Sequence, residues 1–289
     1  MSAARKVAGL SVLGIGVYAA AVRPRLLRWG ATDAEVTAPY PGAELIPGGR
    51  RSATMAVTID APPSAVWPWL AQMGCDRAGW YSWDRLDNSG VPSAERIHPE
   101  WQDVAVGDRW LSMSSGATWF EVAAVEPERF LALRAPIDLH GGRPFDVSRA
   151  RPRAYSDSIW AFLLEELPGE RTRLMVSGYA ADHPRLLLAL VNFVVAEPAH
   201  WIMQMRQFAN LKRRAEQSRQ AADAPLTVAA SRACSTCWTQ TSSGTSPRQA
   251  RTRAAIEGAR ASSASCPAGW RVSISFGSSR SGSSSKTTA

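Results

Sequence analysis

The sequence predicts an α+β domain: a curved antiparallel sheet of six or seven strands wrapped on one long C-terminal helix, with two short helices after the first strand. Three observations predict it. Segments of alternating apolar and polar residues, separated by hairpin-grade turns, fill the middle of the chain. A proline-started stretch of helical spacing follows the first of them. A second, much longer stretch of helical spacing closes the patterned region at residues 184–217.

The first strand is "SATMAVTID", in which Ala53, Met55, Val57 and Ile59 share one face and Thr54, Thr58 and Asp60 the other. In "APPSAVWPWLAQMG", Pro62 and Pro63 suit a first helical turn, where a missing N–H costs nothing. Val66, Trp67, Leu70 and Met73 follow at helical spacing, and Gly74 is placed to end the helix. "SWDRLDN" predicts a short helical turn begun by Ser82. Five further strands are expected at Arg109–Met113, Ala117–Val125, Arg129–Ala135, Asp157–Leu167 and Arg171–Tyr179, divided by Gly116, "EPE" and "PGE". The polar, Gly- and Pro-rich stretch 136–155 predicts a long loop over one end of the sheet. On the terminal helix, Leu187, Leu190, Val191, Val194, Trp201, Met205 and Phe208 set the period, and Pro198 is expected to kink or split it near Glu197.

The flanks differ in character. Arg5 and Lys6 precede sixteen residues without a charge, 7–22, and Arg23, Arg25 and Arg28 follow. Residues 1–30 therefore predict a hydrophobic helix with three competing roles: a membrane anchor, a secretory signal, or a helix packed on the domain. As an anchor, the arginine excess after the segment places the folded domain on the cytoplasmic side. Residues 31–50 are punctuated by Pro and Gly and predict an extended linker. Residues 218–289 predict a disordered tail, rich in Ser and Arg, with sixteen serines from 221 onward. The domain proper is residues 51–217.

Charge excludes one partner class. The net charge is +8, but residues 221–289 hold eight basic and two acidic side chains, a balance of +6, leaving about +2 for the first 220. No folded basic face follows, so a nucleic-acid partner has little support. Of four cysteines only Cys75 lies in the patterned region, so no disulfide framework is implied. Cys234 and Cys237 lack a second pair at zinc-ligand spacing. The four scattered histidines suggest no metal site, no Ser-His-Asp order or phosphate-binding glycine loop occurs, and no cofactor is expected. Twelve tryptophans are a surplus that suits a wide core or a cavity holding something apolar.

With these elements in place, "VTIDAPPSAVWPWLAQMG", "GDRW", "WAFLLEEL" and the terminal helix resemble the SRPBCC superfamily, the START-like, helix-grip group that includes polyketide cyclases/dehydrases and lipid-transfer proteins. "RWGATDAE", "GWYSWDRLDN", "EWQDVAVGD" and "EPAHWIMQ" resemble an uncharacterised actinobacterial subgroup with a hydrophobic N-terminal helix. The resemblance covers about residues 25–216. It implies an internal cavity for a hydrophobic small molecule or lipid, and places the segment after the first helix at the cavity mouth. The fold hosts binders and enzymes alike.

The candidate ligand-binding residues are Tyr81, Trp83, Asp84, Trp119, Trp160, Phe162, Glu197, His200, Trp201 and Met205. Glu197 and His200 stand three apart on one helix face. They, or Asp84, are the candidates for proton transfer in a cyclase or dehydratase; the plainer reading of Glu197 is a partner for backbone groups freed by Pro198. For Trp80, Tyr81 and Trp83 the plainer reading is core packing, and for Asp84 and Asp87 it is capping or pairing with an arginine. A third expectation is a protein-interaction module with a vestigial cavity.

Overall fold

A computed structural model of the chain describes residues 13–223. They belong to one unit of the chain. The tail expectation falls outside the described residues from 224 onward, as do residues 1–12 of the hydrophobic segment.

Helix α1 covers residues 13–26, where a π-turn at Tyr18–Val22 runs on into Arg23–Leu26. Helix α2 is Asp33–Thr37, α3 is Pro63–Ala71 and α4 is Asp84–Asp87. The sheet is antiparallel. Its strands are β1 Arg50–Arg51, β2 Met55–Ile59, β3 Arg109–Leu111, β4 Trp119–Glu126, β5 Phe130–Asp138, β6 Arg143–Pro144, β7 Tyr155–Leu167, β8 Arg171–Ser177 and β9 Tyr179–His183. β1 and β6 are two residues each, so seven of the nine have real length. The path runs β1-β9-β7-β5-β4-β3, with β2 beside β8. The long helix α5, Arg185–Asp223, extends six residues past the expected end.

β8 and β9 follow one another along the same side of β7, with β2 outside β8 and β1 outside β9. Both pair with β7 in a single register, Ala161 opposite Ser177 and Ser158 opposite Ala180. Gly178 joins them, and a Cβ there would sit 1.9 Å from the Ile159 carbonyl oxygen. Only a residue without a side chain lets the two backbones approach this closely.

Alternation sorts the sheet into two faces. Met55, Ile59, Leu131, Leu133, Phe162, Leu164, Leu174 and Val176 face the helices and form one core with Val66, Trp67 and Leu70 of α3 and Phe208, Leu211 and Ala215 of α5. Ala56, Phe130, Ala132, Ala161 and Met175 point the other way and pack with Tyr40. That second face is covered by residues 31–49, the stretch expected to be an extended linker. Tyr40 Oη donates to the Ala161 carbonyl at 2.9 Å, and Ile46 is buried. Thr32 and Glu35 form a capping box on α2. Arg173 donates from Nε to Glu35 Oε1 at 2.7 Å, from Nη2 to Oε2 at 2.8 Å, and to the Gly30 carbonyl at 2.6 Å. This fork holds the carboxyl of Glu35 at a pKa of about 2. The segment folds by side chain-to-backbone bonds rather than by any repeat.

Pro198 does not split α5. The helix passes through a wide π-turn, Asn192–Ala196, and continues from Glu197 to Asp223. The turn takes up the steric demand of a proline ring that also lacks an N–H for the preceding turn. The stretch 136–155 is shorter as a loop than expected, because β5 extends to Asp138 and β6 pairs back onto it at Ile137 and Asp138.

Candidate functional site

The first half of α5 and the start of β7 diverge, and between them lies a cavity of about 1390 Å³. That exceeds the roughly 300–1,000 Å³ of ordinary ligand pockets. Strand parity explains its sheet wall. Ser156, Ser158 and Trp160 alternate on the same face of β7 as the core residue Phe162, but stand farther along the strand, beyond the reach of α3. Helical spacing explains the opposite wall, with Glu197, His200, Trp201, Gln204 and Gln207 all lining it.

The aromatic part of the wall is Trp80, Phe120 and Trp160. Their ring centroids lie 5.4 Å (Trp80–Phe120), 5.6 Å (Trp80–Trp160) and 5.8 Å (Phe120–Trp160) apart, all tilted or edge-on. A chain of hydrogen bonds fixes this group to α5. Trp160 Nε1 donates to Gln204 Oε1 at 3.2 Å, Gln204 Nε2 to Gln207 Oε1 at 2.8 Å, and Gln207 Nε2 to the Trp80 carbonyl at 2.9 Å. Both amides are buried and spend their polar groups on one another and on the wall.

Three cavity-lining groups behave differently. His200 has its surface open to the cavity although protein surrounds its ring, and it stands edge-on to Trp160 at 6.4 Å. Desolvation holds its imidazole below the usual histidine range, so the neutral form dominates at pH 7. Trp201 Nε1 and both carboxylate oxygens of Asp87 are shielded from solvent with no partner among the described residues. Burial pushes the Asp87 carboxyl above the ordinary aspartate range; the Ser82 hydroxyl opposes this and the charge of Asp84 adds to it.

At the α1 end, Arg23 grips Glu197 through Nε at 2.6 Å and Nη2 at 2.8 Å. The Arg23 guanidinium also lies over Phe193 at 5.6 Å, and Tyr18 meets Phe193 edge-on at 5.2 Å. At the β7–β9 rim, Ser156 Oγ donates to Asp182 Oδ1 at 2.7 Å.

Of the ten residues the sequence singled out, Trp160, Glu197, His200 and Trp201 line the cavity and six do not. Tyr81 is fully buried in the core, its hydroxyl accepting from Gln72 Nε2 at 2.8 Å and its ring under Arg214 at 4.9 Å. Trp83 is exposed, beneath Arg206 at 5.1 Å. Asp84 accepts from Ser93 Oγ at 2.6 Å and caps its loop. Trp119 is covered by Arg109 at 4.9 Å. Phe162 belongs to the core, and Met205 packs against it. The motif "GWYSWDRLDN" does reach the cavity, but through Trp80, Ser82 and Asp87. Its loop has no period from which inward positions can be read. Glu197 and His200 share the cavity without bonding each other, because Arg23 takes the carboxylate. Gln204 and Gln207 were legible from their spacing after Glu197 and His200, and Ser156 and Ser158 from parity with Trp160.

The described residues contain no cluster of three or more His, Cys, Asp or Glu able to hold a metal ion. No protein-family model and no curated relative matches the chain. Among solved structures it is similar to protein MLL2253 from Mesorhizobium loti, at 19% identity over 57% of this chain and 97% of that one, with a TM-score of 0.33. It is similar to the hypothetical protein jhp0584 from Helicobacter pylori, at 16% identity over 61% and 95%, with a TM-score of 0.39. It is also similar to CalU16 from Micromonospora echinospora, at 16% identity over 61% and 88%, with a TM-score of 0.29. Likenesses this distant carry no argument about activity. The helix-grip-like fold stands on this chain's own curved sheet and long terminal helix.

Proposed function

We propose that this chain is an SRPBCC-type binding protein that takes a hydrophobic small molecule or lipid into the cavity between α5 and β7. The observation that carries the reading is the cavity itself: about 1390 Å³, walled on one side by Trp80, Phe120 and Trp160, with few buried unpaired polar atoms and with arginines such as Arg50 and Arg185 in exposed positions of its lining. Apolar walls with sparse convergent polar groups are the usual form of a small-molecule site. A ligand burying about 400 Å² of apolar surface gains about 10 kcal/mol. After an association cost of about 4 kcal/mol, its affinity falls in the range of tens of micromolar, and tighter with each polar group satisfied.

Native mass spectrometry of protein purified from cells tests the reading by seeking a co-purified apolar molecule. Ser158→Trp, which fills the void beside Trp160, should abolish that adduct and the binding of 1-anilinonaphthalene-8-sulfonate while the circular dichroism stays native. Unchanged dye binding in the well-folded variant refutes a cavity site.

A second reading, a cyclase or dehydratase acting on a polyketide-like substrate, is favoured by one observation. Asp87 and His200 line the same cavity with pKa values displaced in opposite directions, the pattern that separates an acid from a base. Turnover of an aromatic polyketide precursor, lost in both Asp87→Asn and His200→Phe with substrate binding retained, is the result this reading requires.

A further inference from the structure

Exposed large apolar side chains of the described residues gather on two segments far apart in sequence. On α5, Leu186 is 89% exposed, and Leu190, Val194 and Val195 are 59–60% exposed. On α1, Leu13 is 64% and Val17 51% exposed. An 18-residue window of α5 reaches a mean hydropathy of 1.6 with none of it buried. Soluble surfaces seldom leave a continuous apolar face of this kind uncovered.

The two segments are joined. Arg23 of α1 clasps Glu197 of α5, and Tyr18 and the Arg23 guanidinium both pack on Phe193. The inner sides of the same two segments line the cavity, through Leu26 of α1, Leu27 just after it, and Ala189, Asn192 and Ala196 of α5. The apolar outer face and the cavity are thus two sides of one helical pair.

Residues 13–22 and 186–196 carry no charge. Arg23 and Glu197 neutralise one another, as do Arg28 and Asp33, which leaves Arg25 and Arg185 as the charges at the edge of this face. An apolar face edged by arginines complements a bilayer with anionic headgroups. Length sets the depth. Eleven uncharged residues of α5, 186–196, rise about 16 Å, half of a hydrocarbon core of about 30 Å. The rest of α5 cannot follow them in, because Phe208, Leu211 and Ala215 are fully buried against the sheet.

We propose that α1 and the first three turns of α5 together form a docking face that inserts into one leaflet of an anionic lipid bilayer and lies across the cavity's α1 end. The pair does not span the bilayer; it seats the domain on the surface, so that an apolar ligand can pass between leaflet and cavity without crossing water. The docking stands on the exposed face alone, whereas the passage of ligand rests on the proposed cavity function.

The test is flotation of the full chain with vesicles of phosphatidylglycerol and phosphatidylcholine, against vesicles of phosphatidylcholine alone. The wild type should float with the anionic vesicles and be weakened by salt. The triple variant Leu186→Asp, Leu190→Asp, Val194→Asp changes only exposed positions and should lose binding by about tenfold or more, with 1-anilinonaphthalene-8-sulfonate binding in the cavity retained. Equal flotation of variant and wild type overturns the proposal. So does a variant that turns a dimer into a monomer in sedimentation while neither protein floats, because the face then belongs to a second copy. Flotation lost in the triple variant but intact in Ser158→Trp upholds docking whatever the fate of the cavity reading.

Discussion

Glu35→Gln tests the most specific claim about what holds the outer face of the sheet covered. Glu35 and Arg173 are joined by two short bonds, and their side chains are 18% and 15% exposed. The carboxyl pKa falls from 4.5 to about 2. At about 1.4 kcal/mol per unit this corresponds to an upper bound of roughly 3.4 kcal/mol. Residual solvent screening, and the ability of Gln to keep part of the capping box with Thr32, reduce the expected loss to about 2 kcal/mol at pH 7. For a protein of this size that is about 4–8 °C in melting temperature. A depressed carboxylate pKa contributes stability that is fully present above the unfolded value and is lost as pH falls through the folded one. The difference between wild type and Glu35→Gln should therefore hold from pH 7 to about 5 and shrink to less than half by about pH 3. Urea titrations of both proteins at pH 7, 5 and 3 measure it. A difference below about 0.5 kcal/mol at pH 7, or one that does not change with pH, refutes the claim that an ionised fork clamps this segment.

Two other substitutions have opposite expected signs. The raised carboxyl of Asp87 makes the folded state hold its proton more tightly than the unfolded one, so its stability contribution falls as pH rises above the ordinary aspartate value. Asp87→Asn should thus stabilise by about 1 kcal/mol at pH 7, with the gain vanishing toward pH 4, as read from thermal melts across that range. Gly178→Ala forces a methyl onto the Ile159 carbonyl at 1.9 Å. It should cost about 3 kcal/mol or more and lower the urea midpoint, since backbone rather than a flexible side chain must move.

How much of this was legible depended on whether a repeat reports the contact. β4, β5, β7 and β8 carry alternation along their length and are bounded by turn residues, so both their existence and their inward faces can be read. β9, "YAADH", has too few apolar residues to alternate, and its pairing is dictated by β7 continuing past Gly178. Residues 31–49 were opaque for a different reason. They hold the sheet through Tyr40, Ile46 and the Glu35–Arg173 fork, which are single long-range contacts separated by irregular backbone. The cavity walls on β7 and α5 follow directly from periods of two and about 3.6. The wall given by "GWYSWDRLDN" does not. Tyr81 has φ +57°, a left-handed turn that reverses which neighbours point inward, and it delivers Trp80 and Asp87 to the cavity instead of Tyr81 and Asp84.

The hydrogen-bond inventory narrows what such a cavity would hold. Gln204 and Gln207 look like natural anchors for a polar ligand, yet each already bonds a wall group or the other, and a ligand that captured one would break the chain that braces Trp160 and Trp80. Glu197 is occupied by Arg23, and the Arg51 guanidinium by the carbonyls of Glu35, Val36 and Ala38. Among the buried polar atoms of the cavity wall, the indole N–H of Trp201 and the carboxylate oxygens of Asp87 have no partner among the described residues, while Arg50 and Arg185 line the cavity in exposed positions. An anionic headgroup finds counter-charge at these exposed arginines and none beside Trp201 or Asp87. A neutral carbonyl or hydroxyl accepts from the Trp201 N–H without the cost of burying a charge. Within the proposed binding role, the buried interior beside Trp201 suits a neutral, weakly polar group on a long apolar body, and charge belongs at the exposed Arg50 and Arg185.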